Sequence, residues 1–213
     1  MKNRFGDLWD FSLSPVGVEF RRPAYEDAIQ HLFFNLVRDD EEGLRIQPAV
    51  GVTLPSLNSA RDRITPRHAF TVDYVTAFVL LNDLLPRPSR QLGGWLFLRG
   101  CPLNPSLDEL LDLVETTVSS SDFFPSLKNV SEYIQAVETA RWPLVATMPT
   151  YLYALLETGQ MQRVERLALK QIDQMKTVAE QRGLVLHESE MQEYKDIVRA
   201  VSRLSTAKGA NEA

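Results

Sequence analysis

The 213 residues include 44% hydrophobic and 24% charged side chains, a balance typical of a soluble globular protein of one large domain, or one domain with a helical appendage. The single cysteine, Cys101, excludes an internal disulfide. The charged N-terminus and the lack of a long apolar run argue against a signal peptide and a spanning helix, so we expect a cytoplasmic protein without membrane contact.

The net charge of −5 is concentrated in the middle of the chain. Residues 101–160 carry eight acidic and two basic side chains, a net charge of −6, whereas residues 1–100 are balanced and residues 161–213 are close to balance. An acidic block disfavours nucleic acid, which is bound through contacts of Lys and Arg to phosphate. It would instead attract a basic protein partner. A set of solvated helix faces would explain the same block.

In the first half of the chain, prolines divide the sequence into short elements. Residues 1–25 contain Pro15 and Pro23 and are expected to be irregular. Residues 27–54 predict a β-hairpin whose tip is DDEEG, with Gly43 able to adopt positive φ. Pro48 interrupts the second strand, which indicates a bulge or an edge position. The four acids lack the spacing of a calcium loop, so we expect a solvated tip.

The next elements are short. Residues 56–65 predict a helix, residues 70–74 a strand and residues 75–85 a helix that ends before Pro86. The run GGWLFL at 93–98 predicts a short buried strand, with its two glycines at a turn or a close approach of two backbones.

After Pro105 the pattern is helical. Ser106 and Glu109 form a predicted capping box, which would place Asp108 in the first turn of a helix ending near residues 119–121. Apolar residues at helical spacing continue through residues 127–137. Further helices are predicted over 151–157 and 161–181, with Gly159 and Gly183 as C′ residues. A second predicted capping box, at residues 189–192, would open the last helix, and the small polar tail is expected to fray.

Candidate chemistry is sparse. His31 lies in an apolar run and is expected in the core or at a sheet edge, and His187 is expected before a helix N-terminus. Cys101 follows Arg99, which could favour the thiolate, but a small buried side chain is the simpler interpretation. Arginines could form an anion site or ordinary salt bridges; these are Arg61, Arg63 and Arg67.

Three segments together carry a resemblance to a known group. They are LRIQPAVGVTLPSL at 44–57, GGWLFL at 93–98 and SLDELLDLVETTVSSSDFFPSLKNVSEYI at 106–134. Their order resembles a loose group of small bacterial α+β proteins of unassigned function, many of them suspected immunity proteins near toxin genes. The resemblance covers residues 27–160 and implies an inhibitor of a toxin. The group has no defined functional residues, so none is carried over.

These observations predict an α+β fold, with a small, mainly antiparallel sheet and packed helices in the N-terminal half and an all-helical segment after it. The expected parts are an α+β domain at 1–145, a helical segment at 146–205 packed on it and a disordered tail at 206–213.

The expected function is that of a non-enzymatic binding protein, an inhibitor or immunity-type protein that neutralises a basic protein partner and needs no cofactor or metal. The partner-binding residues would be Asp108, Asp112, Glu115 and Asp122. One alternative is an enzyme whose site is assembled by the fold around Cys101 or His68. Another is an assembly protein that forms a homodimer or oligomer through its C-terminal helices.

Overall fold

The computed structural model describes residues 9–14, 17–25, 27–39, 41, 43–65, 75–85, 94–120, 123–124, 127–140 and 143–211. The chain divides into two compact units. The first unit consists of Met1–Leu54 and Val75–Val145, and the second of Pro55–Tyr74 and Ala146–Ala213. The described residues 55–65 thus belong with the C-terminal helices, although they lie within the first part predicted from the sequence.

The first unit contains six strands and three helices among the described residues. The strands are β1 (Asp10–Ser14), β2 (Gly17–Tyr25), β3 (Ala28–Asp39), β4 (Gly43–Thr53), β5 (Ala77–Leu80) and β6 (Trp95–Leu98). The helices are α2 (Leu81–Leu84), α3 (Leu103–Ser120) and α4 (Val130–Thr139). The second unit contains α1 (Pro55–Ile64), α5 (Met148–Glu157), α6 (Met161–Arg182) and α7 (Glu188–Asn211).

The strands form one antiparallel sheet in the order β1-β2-β3-β4-β5, and β6 also pairs with β4. The predicted hairpin of residues 27–54 is confirmed as β3 and β4, whose register pairs Ile29 with Thr53 and Asp39 with Leu44. Because strands precede a helical C-terminal half, the predicted α+β fold is confirmed.

The core of the first unit follows the alternation of the strands. One sheet face carries buried apolar side chains, namely Phe20, Leu32, Phe34, Val50, Val52 and Val79. Helix α3 contacts β6 and α2 and buries Leu110, Leu111 and Val114. These three residues lie on one side of the helix, so the opposite side of α3 is left for solvent.

The expectation of an irregular N-terminal segment is wrong from Asp10 onward, since β1 and β2 form there. Pro23 is tolerated because β1 pairs with β2 only as far as Arg21, and because the β2–β3 register shifts at Pro23. The alternation of Val18 and Phe20 with charged residues was the available strand signal.

Pro48 lies in the centre of the sheet, not at its edge. On one side β4 pairs with β3, including Pro48 opposite Phe34. On the other side β6 pairs with Gly43 to Ile46 and β5 pairs with Ala49 to Val52. Pro48 therefore occupies the gap between two short strands, where its missing N–H has no ladder partner to lose.

Two glycines bracket the β4–β6 ladder. A Cβ added to Gly43 (φ 152°) would lie 2.1 Å from the carbonyl oxygen of Phe97, and one added to Gly94 (φ 95°) would lie 2.5 Å from that of Ile46. A turn or a close approach of two backbones was predicted at Gly93 and Gly94, and the close approach is confirmed for Gly94. The predicted strand itself is confirmed, but it is only partly buried, since Leu98 is 55% exposed.

The predicted helix over 75–85 is wrong in its first part, where β5 pairs with β4 over four residues, and right only for the single turn of α2. Partial alternation along AFVL supports either structure, and pairing with β4 decides it. The strand predicted at 70–74 lies outside the described residues.

The predicted capping box at Ser106 is also wrong, because α3 already begins at Leu103 and has no acidic residue in its first turn. Asp108 therefore lies beyond that turn, outside the reach of the helix dipole. The predicted end of this helix, at residues 119–121, is confirmed by its last residue, Ser120. In α4 the cap is Asn129, whose side chain accepts a hydrogen bond from the Glu132 N–H.

In the second unit, α5 is buried from Thr150 to Leu156, and α1, α6 and α7 all contact it. Gly159 and Gly183 follow α5 and α6 with positive φ, as predicted. Helix α7 begins at Glu188, two residues before the predicted position. Its cap comes from Glu190, whose carboxylate accepts from the His187 N–H at 3.2 Å. The helix continues to Asn211, past the start of the predicted tail.

Candidate interaction surfaces

Three of the four predicted partner-binding residues lie together on α3. Asp108, Asp112 and Glu115 are all exposed and follow one another at i, i+4 and i+7, which places them on one helix face. We call these three residues the acidic face of α3. Asp122, the fourth predicted residue, lies outside the described residues. The acidic face can attract a cationic surface.

The proposed catalytic cysteine does not join a histidine in the described part of the chain. Cys101 is exposed in the turn after β6, where its N–H donates to the Leu98 carbonyl at 3.2 Å, so the expectation of a buried side chain is wrong. His31 is 1% exposed in β3, and its hydrogen-bond partner is Glu19. His68 lies outside the described residues. The core position predicted for His31 is confirmed, and His187 directly precedes the N-terminus of α7 as predicted.

The His31–Glu19 pair connects β3 to β2. His31 Nδ1 lies 2.6 Å from Glu19 Oε1, and the imidazole stacks on Phe33 with ring centroids 5.4 Å apart. The hydrogen bond and the charge of His31 lower the pKa of Glu19, although partial burial opposes this. His31 Nε2 is buried and has no hydrogen-bond partner among the described residues. Sequence analysis missed Glu19, because its strand was not recognised.

The arginines considered as an anion site form salt bridges instead. Arg61 Nε lies 3.6 Å from Glu193 Oε1, and Arg63 Nη2 lies 2.7 Å from Glu157 Oε1. Arg67 lies outside the described residues. The acid partners come from α7 and α5, which are distant in sequence, so the spacing of the arginines gave no indication of them. Since the charges of Arg61 and Arg63 are matched, these two described arginines do not form the predicted anion site.

Next to these salt bridges lies a buried hydroxyl pair. The Tyr153 hydroxyl donates to Glu193 Oε1 at 3.0 Å and shares a hydrogen bond of 3.0 Å with Thr65. Burial, with the Glu193 charge as a smaller cause, raises the pKa of Tyr153 well above its usual range. A neutral tyrosine in this position joins α1, α5 and α7. Its role is structural, because both of its partners are supplied by the chain.

An open apolar groove runs along the outer side of α6. Its volume is about 1160 Å³, and the segment that links α6 to α7 forms one end. Four large apolar side chains are exposed along it: Leu169 (46%), Val178 (44%), Leu184 (60%) and Val185 (81%). We call this surface the α6 groove. Exposed apolar side chains gathered along one groove make it a candidate interaction surface.

The sequence predicted the buried stripe of α6 but not the exposed apolar residues that line the groove beside it. Val164, Ala168 and Ile172 are buried as their spacing predicts. Leu169 and Val178 lie off that stripe, and Leu184 and Val185 follow the glycine that ends the helix. Apolar residues outside the core stripe were the available signal.

Within the described residues, no group of three or more His, Cys, Asp or Glu side chains is arranged to hold a metal ion. No described helix is long and apolar enough to cross a membrane. Comparison with protein-family models, with characterised proteins and with solved structures finds no match to this chain. The resemblance to suspected immunity proteins stays a prediction.

Proposed function

We propose that this chain is a non-enzymatic binding protein of the inhibitor or immunity type, which neutralises a basic protein partner through the acidic face of α3. One observation carries the proposal: three carboxylates that are exposed together on one face of a helix whose other side is buried in the core. A helix packed in this way holds the backbone of the three positions fixed relative to one another, which reduces the entropy lost on binding.

Electrostatics explains why such a surface suits a cationic partner. Complementary charges accelerate the encounter and fix the register of a complex, and close pairs in charged interfaces can contribute several kcal/mol. The same charges repel phosphate backbones, so the partner is a protein and not a nucleic acid. The interaction would weaken with salt, since charges separated by more than about 8 Å are screened at physiological ionic strength.

The test uses the full chain as bait for capture from the native host, followed by mass spectrometry. The test variant replaces the acidic face by isosteric amides: Asp108→Asn, Asp112→Asn and Glu115→Gln. A matched control removes the same charge from exposed acids on elements other than α3 and outside the other surfaces described above: Asp10→Asn, Asp62→Asn and Glu180→Gln.

The expected result is one basic protein captured by the wild type and by the control, but not by the test variant, with capture falling steeply as salt is raised. The purified partner should lose its activity when the wild-type chain is added in equimolar amount. A partner whose affinity is equal for the wild type and the test variant would refute the electrostatic account.

A further inference from the structure

We propose that two copies of this chain associate through the α6 groove in a two-fold symmetric dimer. This goes beyond the proposed function, because it concerns another surface and a different partner. The motivation is the exposure of apolar side chains in one place, with Val185 at 81% and Leu184 at 60%. Removing an apolar surface of this kind from water lowers the free energy and so favours association.

The charges of the groove are complementary to those of a second copy. Arg166 and Lys170 lie at the end formed by the first half of α6, and Glu190 lies at the end where the chain enters α7. In a two-fold dimer the same patch meets itself in reverse, so each basic end faces the acidic end of the other copy. Asp173 lies one helical turn after Lys170. The positive charge of Lys170 therefore offsets the negative charge of Asp173 near the middle of the groove.

The apolar side chains follow the same symmetry. Leu184 and Val185 project from the linking segment at the acidic end, and Leu169 is exposed near the basic end. The reversal that matches the charges also places the exposed Leu184 and Val185 of each copy over Leu169 of the other. A second copy therefore satisfies both the apolar and the charged parts of the groove, which a uniformly charged partner would not.

The first test is the mass of the purified chain in solution, measured by light scattering and sedimentation over a range of concentrations. The wild type should approach about twice the 24.2 kDa of one chain as its concentration rises. Val185→Glu should remain monomeric, because it buries a charge in the apolar contact. Leu13→Glu is the matched control, since Leu13 is 71% exposed in the first unit and should leave the dimer intact.

The second test uses charge reversal and mixing. Arg166→Glu alone and Glu190→Lys alone should each weaken the dimer by roughly tenfold, because each altered contact occurs twice in a two-fold dimer. An equimolar mixture of the two variants should regain the wild-type affinity. In the mixed dimer the introduced carboxylate of one copy faces the introduced ammonium of the other, while the native pair of Arg166 and Glu190 reforms on the other side.

Two kinds of result would overturn this proposal. A wild type that stays monomeric at every concentration would show that the groove has another occupant or none. A wild-type dimer that Val185→Glu leaves unchanged would show that the copies meet elsewhere. So would charge-reversal variants that keep the helix content of the wild type in circular dichroism, a check needed because Glu190 also caps α7, but whose mixture does not recover. Neither result depends on capture of a basic partner, so the two proposals can fail separately.

Discussion

Replacing Gly43 by alanine should detach β6 from β4 and destabilise the first unit by about 3 kcal/mol. The backbone at Gly43 has φ 152°, which side chains rarely adopt, and this strain alone costs on the order of 1–2 kcal/mol. The added Cβ would also lie 2.1 Å from the Phe97 carbonyl oxygen. Because that neighbour is backbone, the two strands must separate, and at least one ladder hydrogen bond is lost for about 1 kcal/mol.

Gly100→Ala is the matched control. Gly100 has φ 83°, but an added Cβ would meet nothing within 4 Å, so only the conformational strain of about 1–2 kcal/mol applies. Urea denaturation followed by the fluorescence of Trp95 measures the loss of stability, and hydrogen exchange of the β6 amides measures detachment. Equal losses in the two variants, or β6 amides protected as in the wild type, would refute the argument from close backbone approach.

Three further predictions concern caps, a buried hydroxyl and pH. Asn129→Ala should lower the free energy of unfolding in urea denaturation by about 1 kcal/mol, because Asn129 is the N-cap of α4. Ser189→Ala should change it by less than about 0.5 kcal/mol, because Ser189 lies inside α7 and is not its N-cap. Tyr153→Phe should cost about 1–2 kcal/mol by the same measurement, since it removes one buried and one partly buried hydrogen bond. The hydrogen bond from His31 lowers the pKa of Glu19, so its stabilisation is present above the ordinary value of 4.5 and lost as pH falls through the lowered pKa. Glu19→Gln should remove that part of the acid sensitivity in denaturation curves recorded at decreasing pH.

Local patterns predicted much of the fold. The turn DDEEG between two apolar runs gave the β3–β4 hairpin, and the helical spacing of apolar residues gave α6 and α7 with the glycine that ends α6. These features depend on residues close together in the sequence, where periodicity and turn chemistry determine the outcome. The first residues of α3 and α7 were harder to predict, because Ser106 and Ser189 have capping-box spacing but are not the N-caps of these helices.

Long-range pairing decided the rest of the fold. The sequence predicted a bulge or an edge position for Pro48. This residue lies in the centre of the sheet because β5 and β6 are both short and leave a gap beside it. The segment AFVL was compatible with a helix and became a strand because β4 offered it a ladder. Glu19 became the partner of His31 only when β2 paired with β3.

For the candidate surfaces, the sequence by itself determined the charge of the acidic face, its spacing on one side of a helix and the lack of a recognisable catalytic motif. The tertiary structure alone decided which side chains are exposed. It exposed Cys101, paired Arg61 and Arg63 with acids from distant helices, and left Leu169, Val178, Leu184 and Val185 uncovered in the described part of the chain. Exposure depends on which elements pack against a residue, and that packing is set by the whole chain rather than by the residue's neighbours in sequence.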